Sequence, residues 1–388
     1  MTEHSTAKVV VIGGGYAGTL AANRLTPGGV DITLVNPRPE FVDRIRLHQY
    51  VCGTGEAAVD YAPILGDGVR LLVDTATRIV PAGRVVELAS GAALDYDHVI
   101  YAVGSTGAPP SSVPGAAEFA YSVAEFEYAR RLRARLADAP RDAPVTVVGG
   151  GLTGIETAAE LAEQGRAVTL VGGGTLAPKF TESARRSILK WLARNGVAVL
   201  EDDVVTEVRA EAVVLGDGAV RPSAVTVWTA GFGVPELARA SGLRTDPLGR
   251  LLTDETLTSV DDDRVVAAGD CAAPSGEPLR MSCYAAGPLG AQAADTILRR
   301  LAGTEPAPLG LAFSGACVSL GRRAGVRQFA RKDDTAIDFH IGGRLGGAIK
   351  NLTYKFGVLK VGREARKPGS RFWLKGTPRP QRTAATPS

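Results

Sequence analysis

The chain has 388 residues, of which 45% are apolar and 22% are charged, and its formal net charge is +3. This composition is ordinary for a soluble globular protein, and the length suffices for two or three domains with sizeable cores. No apolar stretch is long enough to cross a bilayer, and the run at 9–12 is too short for the core of a secretory signal. The charge is uneven. Residues 341–388 contain eleven Lys and Arg residues and one acid, so a basic tail follows a slightly acidic body.

Cysteine usage argues against metal and dithiol sites. The four cysteines are Cys52, Cys271, Cys283 and Cys317. They form no C-x-x-C pair and no histidine cluster accompanies them, so we expect no metal site and a cytoplasmic protein with reduced thiols.

The N-terminal residues predict a βαβ unit with a strand, a helix and a second strand at 8–12, 16–25 and 31–35. Between the first strand and the helix lies a G-x-G-x-x-G fingerprint formed by Gly13, Gly15 and Gly18. Its glycines let the backbone approach a pyrophosphate, and the helix N-terminus supplies free N–H groups and partial positive charge.

A second unit of the same kind begins about one domain later. Residues 69–100 look like hairpin strands, an apolar strand ends at Gly104, and a charged helix is predicted at about 122–138. A strand at 145–148 then leads into a second fingerprint, formed by Gly149, Gly151 and Gly154. The strand at 225–231 repeats the pattern of 99–104, which indicates an internal duplication. Two fingerprints predict two dinucleotides and electron transfer between them.

The residues that close the second strand of each unit set ribose recognition. Asn36 stands 23 residues after Gly13, and its amide can accept from and donate to ribose hydroxyls. Gly172 stands 23 residues after Gly149 and can neither bond a 2′-hydroxyl nor repel a 2′-phosphate. We therefore expect weak discrimination between a dinucleotide with a ribose 2′-hydroxyl and one with a 2′-phosphate. Lys179 is either a phosphate contact or a solvated loop lysine.

The last third of the chain is predicted as one more strand, at 265–270, a helix at about 288–301 with Pro288 as its first residue, and a tail from 305. Apolar residues recur at helical spacing in the tail, at Leu345, Ile349, Leu352, Phe356 and Leu359. The same segment carries Lys350, Lys355 and Lys360 at other positions, and an Arg-Phe-Trp-Leu-Lys run follows at 371–375.

This basic, amphipathic tail predicts peripheral contact with the inner face of an anionic membrane. The alternatives are a helix packed on the body or a homodimer contact. No motif supports a nucleic-acid partner.

Five motifs in this order resemble the two-dinucleotide-binding flavoprotein superfamily over about residues 1–300. They are the two fingerprints, Tyr-Ala-Val-Gly-Ser at 101–105, Thr-Ala-Gly at 229–231 and Ala-Gly-Asp at 268–270. Residues 317–324 and the basic tail are similar to the type II NADH dehydrogenase branch, which includes ferroptosis-suppressor-like proteins.

The resemblance implies an α/β fold with two Rossmann-like three-layer dinucleotide-binding domains and a C-terminal cap. The FAD domain would comprise residues 1–114 and 252–304, interrupted by an NAD(P)H domain at 115–251, with the cap and tail at 305–388.

The resemblance also implies the site residues. FAD would contact Gly13, Gly15, Tyr16, Ala17, Gly18, Asn36, Arg44, Ala102, Gly104, Gly269, Asp270, Leu289 and Gly290. NAD(P)H would contact Gly149, Gly151, Thr153, Gly154 and Gly231. In these assignments, Asp270 bonds the ribityl hydroxyls, Arg44 pairs with the pyrophosphate, and the N–H groups of Leu289 and Gly290 face the flavin pyrimidine oxygen. The residues expected near the reacting rings are Glu156, His48 as a proton donor, and Tyr284.

The implied activity is transfer of electrons from NAD(P)H through FAD to a quinone-like acceptor. The segment at 281–292 departs from the branch pattern, because only Gln292 remains of the Ala-Gln motif that lines its quinone site. Three alternatives stay open. They are a reductase of a ferredoxin- or rubredoxin-type partner, a peroxide or disulfide reductase that uses Cys52, and a flavin redox sensor.

Overall fold

The N-terminal parallel sheet is built from two distant parts of the chain. The computed structural model describes residues 6–377 and 379. The five strands of this sheet lie in the order β19 (Val265–Ala267), β9 (His98–Tyr101), β1 (Lys8–Ile12), β2 (Asp31–Asn36) and β5 (Val69–Val73). The elements of the first part are β1 (Lys8–Ile12), α1 (Tyr16–Leu25), β2 (Asp31–Asn36), β3 (Glu40–Val42), α2 (Leu47–Val51), β4 (Ala58–Asp60), β5 (Val69–Val73), β6 (Ala76–Val80), β7 (Val85–Leu88), β8 (Ala93–Asp95) and β9 (His98–Tyr101). The predicted strand at 8–12 and helix at 16–25 are confirmed.

The hairpin prediction for residues 69–100 is only partly right. β5 pairs parallel to β2 and β9 pairs parallel to β1, so both belong to the main sheet. Among the strands at 69–100, β6, β7 and β8 are the ones that form an antiparallel sheet. The sequence of these short strands does not show which of them pair in parallel and which pair antiparallel, because that depends on the strands that they meet in the fold.

A second parallel sheet lies between the two parts of the first, in the order β10-β17-β11-β12-β13. The elements of this stretch are α3 (Ala116–Phe119), β10 (Ala120–Ser122), α4 (Phe126–Asp138), β11 (Val145–Val148), α5 (Leu152–Glu163), β12 (Val168–Val171), α6 (Glu182–Arg194), β13 (Ala198–Leu200), β14 (Val205–Arg209), β15 (Ala212–Leu215), β16 (Val220–Pro222), β17 (Val225–Trp228) and α7 (Leu237–Ala240). The helix predicted at 122–138 begins later, because residues 120–122 pair with β17.

The chain then returns to the first sheet through β18 (Leu251–Thr253), β19 (Val265–Ala267) and β20 (Ala272–Pro274). β19 pairs with β9, which completes the N-terminal sheet. The duplicated, interrupted α/β architecture is thus confirmed. The domain boundaries at 114, 251 and 304 stay predictions.

The helix after β20 corrects the prediction that Pro288 is a first helical residue. This helix, α8 (Cys283–Leu301), begins five residues earlier, where the Ser282 hydroxyl caps it by accepting from the Ala285 N–H. Leu289 and Gly290 are therefore buried in the second turn rather than at the free N-terminus. A Cβ on Gly290 would lie 2.1 Å from the Ala17 carbonyl oxygen, so this glycine lets α8 pack closely on α1.

The C-terminal part is an antiparallel sheet with a long helix packed on it. The strands are β21 (Gly315–Leu320), β22 (Ala324–Ala330) and β23 (Ala336–Ile341), and α9 (Gly343–Arg366) packs on β22. α9 keeps its apolar stripe outward. Leu345, Leu352, Phe356 and Leu359 are all between 48% and 62% exposed. Within the described residues, no helix is long and apolar enough to cross a membrane. The end of the basic tail, residues 380–388, lies outside them.

Candidate active site

The first fingerprint forms a cradle at the carboxyl end of β1. Gly13 has φ +101°, and a Cβ there would lie 2.4 Å from the carbonyl oxygen of Ala102 on the neighbouring strand. α1 follows Gly15 with no side-chain cap, and the space in front of Gly15 is open. Uncapped N–H groups beside open space suit a pyrophosphate.

The ribose position at the end of β2 is tied to this cradle. The Asn36 side chain accepts from the Gly14 N–H at 3.0 Å and donates to the Arg38 carbonyl at 2.7 Å. The Gly14 carbonyl accepts from the Tyr61 hydroxyl at 2.6 Å. Asn36 thus fixes the loop and keeps one amide hydrogen for a ribose hydroxyl.

Asp270 lies where the main sheet meets α8. Its carboxylate accepts from the Ser105 hydroxyl at 2.8 Å and from the Ser282 N–H at 3.1 Å. Arg44 holds the same loop, since its guanidinium donates to the carbonyls of Ser105 at 2.7 Å and Ala124 at 3.0 Å. Both contacts are to backbone, so Arg44 orders the loop beside Asp270, and its predicted phosphate contact stays a prediction.

The second fingerprint repeats the geometry of the first. Gly149 has φ +123° and packs against Thr229, whose hydroxyl donates to the Val148 carbonyl at 2.8 Å. α5 starts after Gly151 with no side-chain cap, and Gly151 and Gly231 both face open space. The structure therefore provides a second anion cradle, at the fingerprint for which the resemblance implies NAD(P)H.

Gly172 explains the missing acid in the second unit. A Cβ at this position would lie 2.5 Å from the Glu201 carbonyl oxygen and 2.7 Å from that of Gly174. Any larger residue would displace the backbone, so packing excludes a ribose-binding carboxylate here. The Lys179 side chain is 64% exposed and 4.0 Å from Asp334, so it is available to solvent.

The first turns of α5 carry Glu156 into a buried cluster. Its carboxylate is 2.8 Å from the Lys350 ammonium, accepts from the Ser319 N–H at 2.9 Å, and lies 3.9 Å from His48 Nδ1. These residues belong to α2 in the N-terminal part, α5 in the second part, and β21 and α9 in the C-terminal part. Three parts of the chain therefore meet at one carboxylate. Burial opposes ionisation, but the charge of Lys350 and the hydrogen bonds from Lys350 and the Ser319 N–H outweigh it and lower the pKa of Glu156.

His48 shares this cluster as a neutral imidazole. Burial lowers the pKa of His48 to about 4, although Glu156 opposes the shift. Its Nε2 lies 3.3 Å from the Tyr354 hydroxyl, which lies 3.2 Å from the Ser319 hydroxyl. At neutral pH, His48 can therefore move a proton only through this hydrogen-bonded chain and does not carry a stored one.

Tyr284 does not join the cluster. Its hydroxyl donates to the Ala312 carbonyl at 3.1 Å, and its ring packs on Phe313 with centroids 5.7 Å apart. Tyr16, which lies within the first fingerprint, donates to the buried Asp43 at 2.5 Å. The structure brings Glu156 and His48 together and places Tyr284 outside their cluster, while the position of all three near the reacting rings stays a prediction.

Cys52 is buried against the core and its carbonyl accepts from Gln164. Burial raises the pKa of the Cys52 thiol, so the nucleophilic thiolate is disfavoured. This argues against the peroxide or disulfide reductase alternative. Burial also raises the pKa of Cys283 to about 11.

Sequence reasoning missed Lys350, Ser319 and Tyr354. Lys350 was expected among the solvated basic residues of the tail helix, but it is buried beside Glu156. The signal was present in Gly346 and Gly347, since two adjacent glycines one turn earlier mark the face on which α9 packs.

The family model described as pyridine nucleotide-disulphide oxidoreductase matches residues 7–292. The chain belongs to this family. That extent spans both fingerprints, Asp270 and most of α8. The chain is therefore an oxidoreductase, and its cofactors are FAD and NAD(P)H.

The relatives agree in length as well as in sequence. An NADH dehydrogenase-like protein of Mycobacterium tuberculosis is 34% identical over 325 residues, covering 76% of this chain and 80% of the relative. The type II NADH:quinone oxidoreductase of Staphylococcus haemolyticus is 25% identical, covering 92% and 96%. The solved structure of NDH2 from Plasmodium falciparum in complex with NADH has a TM-score of 0.76, with 16% identity and coverage of 94% and 99%. The last likeness supports the fold alone.

Gly172 generates a prediction about the electron donor. Because neither a repelling carboxylate nor a dedicated phosphate partner stands at this position, the kcat/KM values for NADH and NADPH should differ by less than about 100-fold, the effect of roughly one lost charged contact. Steady-state kinetics with both donors measures this ratio. A much larger preference would show that another residue reads the 2′-position.

Proposed function

We propose that this protein is an NAD(P)H dehydrogenase that passes electrons to a quinone-type acceptor. The observation that carries the proposal is the buried Glu156–Lys350 pair with its neighbours His48 and Tyr354. It joins the helix of the second fingerprint to the FAD part and to the C-terminal part. When bound, FAD supplies the two-electron redox chemistry that couples NAD(P)H oxidation to reduction of an acceptor.

The residues of the chain supply position, charge and protons. Glu156 anchors the start of α5 on α2, so the NAD(P)H cradle is held in register with the FAD cradle. Lys350 remains protonated. Burial opposes its charge, but Glu156 attracts it strongly and raises the pKa of the ammonium. Lys350 would supply a fixed positive charge that stabilises negative charge developing on a cofactor bound beside this cluster.

Reduction of a quinone also consumes protons. The Tyr354 hydroxyl lies between His48 Nε2 and the Ser319 hydroxyl, at 3.3 and 3.2 Å, and these three groups can pass a proton along hydrogen bonds. This chain supports an acceptor that is protonated as it is reduced. An iron–sulfur protein partner takes electrons without such a need.

The test is anaerobic stopped-flow absorbance of the FAD-loaded protein, mixed first with NADH and then with a soluble quinone. We expect rapid bleaching of the flavin and rapid reoxidation. In Tyr354→Phe, bleaching should keep its rate while reoxidation slows by about 100-fold, the usual size of a general-acid contribution. Tyr128→Phe, on α4 and outside the Glu156 cluster, should change neither rate.

Three outcomes would contradict the proposal. Absence of bleaching by NADH and NADPH would refute the donor. Slow quinone reoxidation in the unmodified protein would refute the quinone acceptor and favour a protein partner. Equal reoxidation rates in Tyr354→Phe and the unmodified protein would remove the proton path.

We further propose that the exposed stripe of α9, formed by Leu345, Leu352, Phe356 and Leu359, rests on an anionic membrane. Phe372 is 81% exposed in the basic segment that follows, which supports the same surface. Apolar side chains flanked by Lys and Arg suit a lipid interface from which a quinone could be drawn.

Sedimentation with vesicles containing phosphatidylglycerol tests this surface. The double variant Leu352→Ser/Phe356→Ser removes two exposed apolar side chains that would enter the lipid, and it should weaken vesicle binding by at least about tenfold. Phe339→Ser alters an equally exposed aromatic residue on β23 and should bind as the unmodified protein does. Equal binding by all three proteins would place the membrane contact elsewhere or exclude it.

A further inference from the structure

A basic cavity lies on the outer side of the Tyr354 ring, where α2, α9 and the turn between β21 and β22 meet. Its volume is about 240 Å³. The lining residues are Arg46, Gln49, Arg322, Asn351, Tyr354 and Lys355. Three of the six are cations and none is acidic. Apart from Tyr354, which belongs to the proposed proton path, none of the lining residues has a role assigned above.

The cations are only partly compensated. Arg46 Nε is 3.3 Å from Asp43, and one terminal nitrogen of Arg322 is 3.5 Å from Glu160. Lys355 is exposed and has no carboxylate partner among residues 6–377 and 379. Asp43 and Glu160 each lie beside one guanidinium, and Glu163 accepts from the Arg322 backbone N–H, whereas Lys355 is uncompensated in the described part of the chain. Each guanidinium keeps donors that could point to a ligand.

Gln49 provides an independent observation. Its side chain is 1% exposed, and neither its amide oxygen nor its amide nitrogen has a hydrogen-bond partner within the described part of the chain. An unsatisfied buried amide is costly, and in native proteins such a group usually has a partner that the protein alone does not provide. A ligand in the adjoining cavity could supply that partner.

We propose that this cavity is an oxyanion site that binds a phosphate group. Arg46 and Arg322 offer planar forks that match phosphate oxygens, and Lys355 adds a point charge. The amides of Gln49 and Asn351 add neutral donors. A metal ion or an organic cation would meet three like charges and no carboxylate in the wall.

Two sources could present the phosphate. One is a small phosphorylated or inorganic anion in solution. The other is a phospholipid headgroup, because Asn351 and Lys355 are each adjacent in sequence to a member of the exposed stripe of α9, Leu352 and Phe356. Both sources offer the same chemistry to the cavity, and experiment separates them.

The test uses the FAD-loaded protein and three variants. Calorimetric titration with inorganic phosphate measures the free anion, and sedimentation with vesicles containing phosphatidic acid measures the headgroup. Lys355→Met removes the exposed cation, and Gln49→Leu removes the unsatisfied amide while keeping side-chain volume. Lys360→Met makes the same charge change on the same helix outside the cavity.

Saturable phosphate binding that weakens by about tenfold or more in Lys355→Met and in Gln49→Leu, but by less than about twofold in Lys360→Met, is expected for a free anion. The same pattern with vesicles alone assigns a headgroup. Absence of saturable binding to either probe, or equal losses in Lys355→Met and Lys360→Met, overturns the site. Flavin bleaching by NADH is read in parallel and should be unchanged in all three variants, so a failed electron-transfer proposal remains distinguishable.

Discussion

The rest of the structure depends on one buried ion pair, Glu156 with Lys350. Each charge alone would be strongly disfavoured at less than a tenth exposure, and each is acceptable because the other lies 2.8 Å away. Glu156 belongs to α5, which follows a strand of the second parallel sheet, and Lys350 belongs to α9, while His48 reaches the pair from α2. The requirement to pair these charges therefore fixes how three separately built pieces of chain meet.

The face of α5 that carries Glu156 extends this constraint. Glu160 accepts from the Thr54 hydroxyl at 2.9 Å and lies near Arg322, and Glu163 accepts from the Arg322 N–H at 2.7 Å. Positions 156, 160 and 163 follow helical spacing, so one row of carboxylates docks on α2 and on the β21–β22 turn. Glu156 and Glu160 are buried and Glu163 is exposed, so the row joins α5 to its neighbours from the interior to the surface.

Local patterns predicted the parts of the fold that local forces decide. The strand at 8–12 and the cradles of Gly13 and Gly149 follow from apolar runs and turn glycines, and the structure places them as expected. The predicted start of α8 at Pro288 was wrong, because the helix begins at Cys283, where the Ser282 hydroxyl caps it. The burial of Lys350 was missed, because its partner is 194 residues away in sequence and no local pattern encodes that contact. The sequence shows that Gly172 stands where a ribose-binding acid is usual. The reason for the glycine, its close packing against the Glu201 carbonyl, is visible only in the structure.

A double-mutant cycle on the free energy of unfolding tests the central pair most directly. In the FAD-loaded protein, Glu156→Gln and Lys350→Met should each cost about 3–5 kcal/mol because each strands a buried charge or its partner, and the double variant should lose far less than the sum. The exposed pair Glu182 and Arg186, one turn apart on α6, is the matched control and should show almost no coupling. Strong coupling at Glu156–Lys350 alone is the predicted result. Additive losses there, equal to the control, would contradict the claim that this ion pair joins the three parts.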